Sequence, residues 1–462
     1  MIHRSHYADI VAIVSAGAKR GSASRWNGHP AGLARRLVAA QPLLPLLVLL
    51  LLVTAVFPER QDDEAGYLEL ARNIAHGHYA TGRPDALLDA DPSYPDLWFG
   101  PGLPLVLAAP VALGLPLGLV RLVGPLALFG ALALVFRLLQ RYLPRRAALA
   151  WTYALGLYPP FYTLLPNLHS EPLAILFLAA ALAALARVAE GAPRRWQLLG
   201  GAALAGLALT RVDYGWVITV AALAFLGWWL VSRRRQALRL ALTCAVGLAL
   251  CLPWLAYTYA KTDRVFQWGN SGSLSLYWMS SPYKGDLGDW QQASAVFSDP
   301  HLAPHRPFFE TLRGLPLPEQ NARLERRALR TILHHPVAYA GNVAANVSRL
   351  LFDTPYSYTP QRLSALYFAL PNALVLAAAL LAAALAVRVR SQLVPLVAPL
   401  GVLAAVAFGL HALVAGYPRM LTPIVPMVAV LAALTAGRHL RLAPAAPSRE
   451  GAELPMRGSW PP

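Results

Sequence analysis

Residues 61–79 read QDDEAGYLELARNIAHGHY, and Asp62, Asp63 and Glu64 stand side by side near the start of the stretch. Adjacent carboxylates repel one another unless something cationic sits among them. A group of this kind can cap a helix, take a proton from a hydroxyl as a general base, or hold a hard divalent cation. Two further acids interrupt apolar sequence: Glu171 in PNLHSEP and Asp213 in TRVDYG. Cations are spread over the same segments: Arg211, Lys261, Arg264, Arg349, Arg362 and Arg419. Plainer readings stand beside the chemical ones. Asp62 or Asp63 can cap the helix expected over 63–76, Glu171 can cap a helix after His169 and Ser170, and Asp213 can pair with Arg211. Arg419, alone in AGYPRMLTP, needs a partner, which is either a lipid phosphate or an external acid.

The elements that must position these residues are membrane helices. Of 462 residues, 56% are hydrophobic and 14% charged, against roughly 25% charged in soluble domains. The composition predicts an all-α polytopic membrane protein. Its net charge of +17 reads as topology rather than nucleic-acid binding, because basic residues collect on the cytoplasmic side of spans. Apolar runs fall near 38–57, 119–140, 147–165, 171–189, 197–212, 215–231, 237–257, 363–387, 392–415 and 420–437, each about a bilayer long. Arginine clusters at 35–36, 141–146, 194–195, 233–235, 388–390 and 438–441 fall on one side if about ten spans alternate. The first run is long enough to span and no cleavage site follows it, so it is expected to remain as a helix rather than be removed as a signal peptide. Cys244 and Cys251, seven residues apart in one run, are expected to sit about 10 Å apart and to serve as packing residues.

The segment PGLPLVLAAPVALGLPLG, 101–118, is apolar but short and broken by Pro101, Pro104, Pro110 and Pro116. It is read as a juxtamembrane or re-entrant element, since an eleventh span there would turn the arginine clusters outward. The expected organisation is a basic cytoplasmic N-terminus (1–37), an N-terminal transmembrane catalytic module (38–257) with a first external loop (58–118), a large external α-rich lobe (258–362), C-terminal helices (363–440) and a disordered cytoplasmic tail (441–462). Leu68, Ala71, Ile74 and Ala75 form the expected apolar stripe of an interfacial helix, which Gly77 ends. Gly-rich phosphate loops, paired Cys/His spacings and G-x-S-x-G are absent from the sequence. A transporter or lipid-carrier flippase would hold its ionisable residues near the midplane, on repeated and interrupted helices. Here the acids gather at one surface.

In their order, these features resemble the membrane-embedded GT-C glycosyltransferases, and within them glycosyltransferase family 39, the protein O-mannosyltransferase-like enzymes and the lipid A aminoarabinose transferase. The first-loop D-E-x-x-Y motif stands here as DEAGY (63–67), and the Pro-rich element as GPGLPLVLAAP (100–110). HSEP (169–172), GAALAGLALTR (201–211), Pro253-Trp254, NSGSLSLYW and RMLTPIVP (419–426) follow in sequence. The chain departs from the lipid A enzyme at Gly66, where that enzyme has an arginine, and at Phe99-Gly100-Pro101 in place of Glu-Lys-Pro. Tyr257 and Thr258 stand where many relatives have Arg-Asn.

The resemblance implies a hexosyl- or pentosyltransferase that takes a sugar from a polyprenyl-phosphate donor at the external face of a bacterial inner membrane. The N-terminus would be cytoplasmic and the site periplasmic. The resemblance assigns Asp63 as general base and Glu64 to positioning the acceptor, or, with Asp63, to a divalent metal. Glu171 becomes the second acid of the site. Arg211, Arg419 and Lys261 become the candidates for the lipid phosphate. Expected partners are membrane lipids, the donor and a glycolipid, polysaccharide or protein acceptor, with no nucleic acid. The alternatives are a lipid-linked sugar flippase and an O-antigen polymerase or ligase, which works on the same lipid-linked sugars. Reporter fusions test the orientation: one placed after Arg235 is expected to be active only as a cytoplasmic reporter, and one within 258–362 only as an external one.

Overall fold

In lipid the backbone must satisfy its own polar groups, and an isolated apolar run can do so only as a helix. The computed structural model describes residues 41–57, 63–79, 97–361, 363–388 and 393–439. The chain divides into two units, Met1–Pro45 and Leu46–Pro462, and only the last residues of the first are described. The described residues are nearly all helical, with no strand among them. The basic N-terminus, the C-terminal tail, Asp62 and Arg362 lie outside them.

In chain order the main helices are α1 (Leu44–Val56), α2 (Glu64–Ala75), α3 (Gly102–Ala112), α4 (Leu117–Val120), α5 (Val123–Gln140), α6 (Arg145–Gly156), α7 (Glu171–Ala189), α8 (Arg195–Thr210), α9 (Asp213–Ser232), α10 (Arg235–Leu250) and α11 (Leu252–Thr262). The lobe contributes α12 (Gly272–Met279), α13 (Ala295–Ser298), α14 (Arg306–Glu310), α15 (Leu317–His334) and α16 (Pro336–Phe352). The chain then closes with α17 (Leu366–Arg388), α18 (Val397–Ala412) and α19 (Val425–His439).

Among the described residues, four segments are long and apolar enough to cross a bilayer: Leu117–Gln140, Glu171–Ala189, Asp213–Ser232 and Leu363–Arg388. Helices α10 and α11, bent by 50° where Cys251 joins them, make a fifth if they form one broken span. Pro253 explains the break, since it has no N–H to continue α10 and sits in the first turn of α11. The other apolar runs form shorter helices, so the expectation of about ten spans rests on the sequence pattern alone. Both cysteines are buried and unpaired.

Helix α7 packs between α5 and α8, α8 packs on α10, and α9 packs on α10 and α18. Segment 101–118 forms the eleven-residue α3 and the first two residues of the short α4. At 1.5 Å per residue α3 is roughly 16 Å long, about half of a hydrocarbon core. It packs on α2. Helix α2 forms where the sequence predicts it, and Gly77 follows it at φ +84°. Its buried face differs from the expected stripe. Tyr67, Leu70 and Ala71 are buried, Leu68 and Ile74 are half-buried, and Ala75 is exposed. The reason is a tertiary one: Tyr67 lies against Phe99, with ring centroids 4.4 Å apart, in a cluster with Leu103 and Leu107.

The lobe has its own apolar centre in Leu274, Trp278, Val296, Phe309 and Leu324. Beside it Tyr277 bonds His305 Nδ1 (2.8 Å), and His305 Nε2 bonds Asp286 (2.7 Å). Arg349 is fully buried; it donates to the carbonyls of Leu287 and Pro355 and lies near Asp289. Arg264 is taken by Glu325. These two cations of the sequence list therefore hold the lobe together.

The proline-rich turn before α3 also owes its place to close backbone approach. A Cβ on Gly102 would lie 2.7 Å from both the Cα and the N of Thr210, and one on Gly100 would strike the Leu209 carbonyl. Gly102→Ala is therefore expected to lower stability by about 1–3 kcal/mol through overpacking. Gly118→Ala, whose Cβ would meet nothing within 4 Å, should change little. Thermal unfolding of the two detergent-solubilised variants measures the difference.

Candidate active site

The acids and cations of the sequence analysis come from four places along the chain. Asp63 stands at the start of α2, and Glu171 opens α7. Arg211 follows the end of α8 and Asp213 opens α9, and Arg419 lies on a short 3-10 turn, Pro418–Leu421. All five line one cavity of about 310 Å³. Glu171 and Arg211 are nearly buried while Asp63, Asp213 and Arg419 are half-buried, and charge withdrawn from water in this way is tolerated when it meets its opposite. Arg419 Nη2 lies 2.9 Å from Asp63 Oδ2, and its Nε lies 3.9 Å from Glu171 Oε1. Arg211 Nη1 donates to Glu171 Oε1 at 2.5 Å, while its Nε lies 3.3 Å from Asp213 Oδ1. His411 Nε2 lies 2.8 Å from Asp213 Oδ2. The result is a row of alternating acidic and basic side chains, Asp63–Arg419–Glu171–Arg211–Asp213–His411.

The plainer readings resolve as follows. Asp63 makes no capping hydrogen bond from its side chain; it turns to Arg419 instead. Glu171 is 2% exposed and serves Arg211 rather than a cap. Asp213 does pair with Arg211, and Arg419 has found acids.

The walls are aromatic. Trp98, Phe99, Trp216, Trp268 and Trp290 line the cavity with Tyr67. Trp98 and Trp290 meet edge to face at 5.9 Å. The buried indole N–H groups of Trp268 and Trp290 have no hydrogen-bond partner among the described residues. Burial, reinforced by the charges of Asp63 and Glu171, pushes the Tyr67 phenol above its ordinary pKa, so the phenol keeps its proton.

Two predicted site residues lie elsewhere. Lys261 is exposed in the last turn of α11 and is not among the cavity's lining residues. Glu64 faces away from Asp63, because successive helix residues are about 100° apart. Arg121, between α4 and α5, grips it in a fork, Nε to Oε2 at 2.9 Å and Nη2 to Oε1 at 2.6 Å. The Leu168 amide donates to the same carboxylate at 3.0 Å. Glu64 thus ties α2 to the α4–α5 span and to the segment leading into α7. Among the described residues no three His, Cys, Asp or Glu side chains gather as metal ligands. With Glu64 held by Arg121 and Asp63 facing Arg419, these residues do not fit a divalent ion, and no step below uses one.

Neither a family model nor a curated protein matches the chain. Solved structures do. The archaeal oligosaccharyltransferase AglB from Archaeoglobus fulgidus, in complex with an inhibitory peptide and a dolichol-phosphate, aligns over 89% of this chain and 50% of its own, at 17% identity and a TM-score of 0.52. A second structure of the Archaeoglobus fulgidus oligosaccharyltransferase, tethered to an acceptor peptide, aligns over 86% and 49% at a TM-score of 0.50. This chain shares its fold with that oligosaccharyltransferase. ArnT from Cupriavidus metallidurans, bound to undecaprenyl phosphate, also aligns, over 89% of this chain and 79% of its own, at 17% identity and a TM-score of 0.39. The chain spans about half the length of the AglB it matches.

Within this fold, sequence reasoning missed His411, Arg121 and the tryptophans. His411 stands in an apolar run, VAFGLHALVAG, and that isolation was the available signal. Arg121 lies inside GLVRLVG, likewise a single charge in apolar sequence, and such charges mark a partner or a function by default. Breaking one side of the Glu64–Arg121 pair leaves an uncompensated charge, which costs about 3–5 kcal/mol when buried. Glu64→Gln and Arg121→Met alone are each expected to unfold at lower temperature. The double variant should recover much of the loss, as read by thermal unfolding in detergent.

Proposed function

We propose that this chain is a membrane glycosyltransferase of about ten spans. It moves a hexosyl or pentosyl group from a polyprenyl-phosphate donor to an acceptor on the external face of a bacterial inner membrane. The observation that carries this reading is the ion pair of Asp63 with Arg419, 2.9 Å apart in an aromatic-walled cavity. It unites the first-loop aspartate of the DEAGY motif with the lone arginine of the RMLTP motif. The fold supports the reading too, as it is shared with an oligosaccharyltransferase solved with a dolichol-phosphate.

The donor phosphate competes with Asp63 for Arg419, and Arg211 lies next to it on Glu171. When the phosphate takes Arg419, the Asp63 carboxylate is released. It then accepts the proton of the acceptor hydroxyl as that oxygen attacks the anomeric carbon. The new glycosidic C–O bond forms as the bond from the anomeric carbon to the phosphate oxygen breaks, with inversion. The electron pair leaves on the polyprenyl phosphate, whose growing charge Arg419 and Arg211 stabilise. Tyr67, kept protonated, offers a donor to a sugar oxygen. The aromatic faces suit the apolar faces of a sugar ring. Glu171 holds both arginines in line.

Asp63→Asn keeps the shape and hydrogen-bonding capacity but cannot take a proton. Its sugar transfer in membranes is expected to fall by about 100-fold to 10,000-fold, the usual loss on removing a general base, with Asp63→Ala at least as impaired. Wild-type turnover in both variants, correctly inserted, would falsify the assignment.

A further inference from the structure

His411 is 4% exposed, on the apolar helix α18. Its Nδ1 lies 2.7 Å from the carbonyl oxygen of Ala407, one turn earlier. Its Nε2 lies 2.8 Å from Asp213 Oδ2. A carbonyl oxygen can only accept. The Asp213 carboxylate also accepts from Arg211, Nε to Oδ1 at 3.3 Å and Nη2 to Oδ2 at 3.5 Å, which favours its ionised, acceptor-only form. An imidazole with an acceptor at each nitrogen satisfies both only by donating from both, and it then carries a positive charge. The surroundings allow this. From α9, His411 faces Asp213 and the Tyr214 ring, with centroids 5.9 Å apart. Arg211 stands on the far side of Asp213. From α16, the Asn346 amide donates to the His411 carbonyl at 3.0 Å. Arg419 shares the cavity.

The position of this charge in the alternating row gives it a consequence. Asp213 is the terminal acid, and Arg211 is divided between Asp213 and Glu171. A neutral side chain at 411 leaves Asp213 with Arg211 as its sole cation and draws the guanidinium away from Glu171 and the cavity. A cation at 411 satisfies Asp213 from the other side, so Arg211 keeps its 2.5 Å contact with Glu171 and stays beside Arg419.

We propose that His411 is a positioning residue held as an imidazolium, and that its charge, acting through Asp213, keeps Arg211 aimed at the phosphate of the lipid donor. This rests on the proposed reading of the cavity as a polyprenyl-phosphate site.

The test uses the full chain in nanodiscs, with undecaprenyl monophosphate as the probe. Tryptophan fluorescence reports binding, because Trp98, Trp216, Trp268 and Trp290 line the cavity. His411→Gln keeps a hydrogen-bond donor but removes the charge and is expected to weaken binding about tenfold, the scale of one charge-assisted hydrogen bond. His411→Lys restores a cation and is expected to recover most of that loss, which a merely structural role would not produce. In protein labelled with ¹⁵N-histidine, the resonances that vanish in His411→Gln should show two protonated ring nitrogens at neutral pH. The inference is overturned if the Gln variant binds like wild type, if Lys binds no better than Gln, or if one ring nitrogen is bare. Asp63→Asn separates the two claims. Full transfer by that variant removes the proposed base and leaves the binding and NMR results for His411 standing. A dead Asp63→Asn alongside wild-type binding in His411→Gln removes the His411 role alone.

Discussion

The site depends on the cost of placing charge where water is scarce. An ionised side chain at a membrane margin is tolerated when it is paired, and here three acids and three basic side chains meet in alternation from Asp63 to His411. Each member lies on a different element from at least one of its partners. The row therefore holds α2, α7, the α8–α9 turn, α18 and the turn at Arg419 in register. Asp63 already holds Arg419, so in the proposed reading an arriving phosphate must displace that carboxylate. In the proposed reaction the displaced group is the base.

The remaining structure serves to place that row. Glu64 points away from Asp63, and its fork with Arg121 anchors the start of α2 to the following span. Tyr67 fixes the rotation of α2 by packing on Phe99. The glycines at 100 and 102 let the next turn press against the backbone of 209–210, just before Arg211. The lobe completes the cavity from the other side, bringing Trp268, Ser271 and Trp290 to it. Its own buried arginine, Arg349, is spent on lobe carbonyls.

Much of this was legible in the chain. Apolar runs announce helices because lipid leaves the backbone no other partner. Asp63, Glu171, Arg211 and Arg419 stood out because a charge in or beside apolar sequence must be compensated, and the cavity brings all four together. The same logic applied to Arg121 and His411, but each is one residue in an apolar run and neither belongs to a recognised motif. Lys261 was a candidate as a cation expected on the same face as the acids, and the end of α11 leaves it exposed.

The sequence by itself determined the helical membrane class and the inventory of charges that would need partners, but not the break at Cys251 inside the run 237–257 or the end of α6 at Gly156 inside the run 147–165. It could not say which charge meets which. That is a long-range matter: Asp63 and Arg419 are separated by most of the chain, and one residue of helix rotation sends Glu64 to Arg121 while Asp63 turns to the cavity. Helix periodicity marks an apolar face but not its neighbour, so Tyr67 rather than Leu68 became the buried residue of α2. Only packing in three dimensions placed the aromatic walls and brought Asp213 to His411.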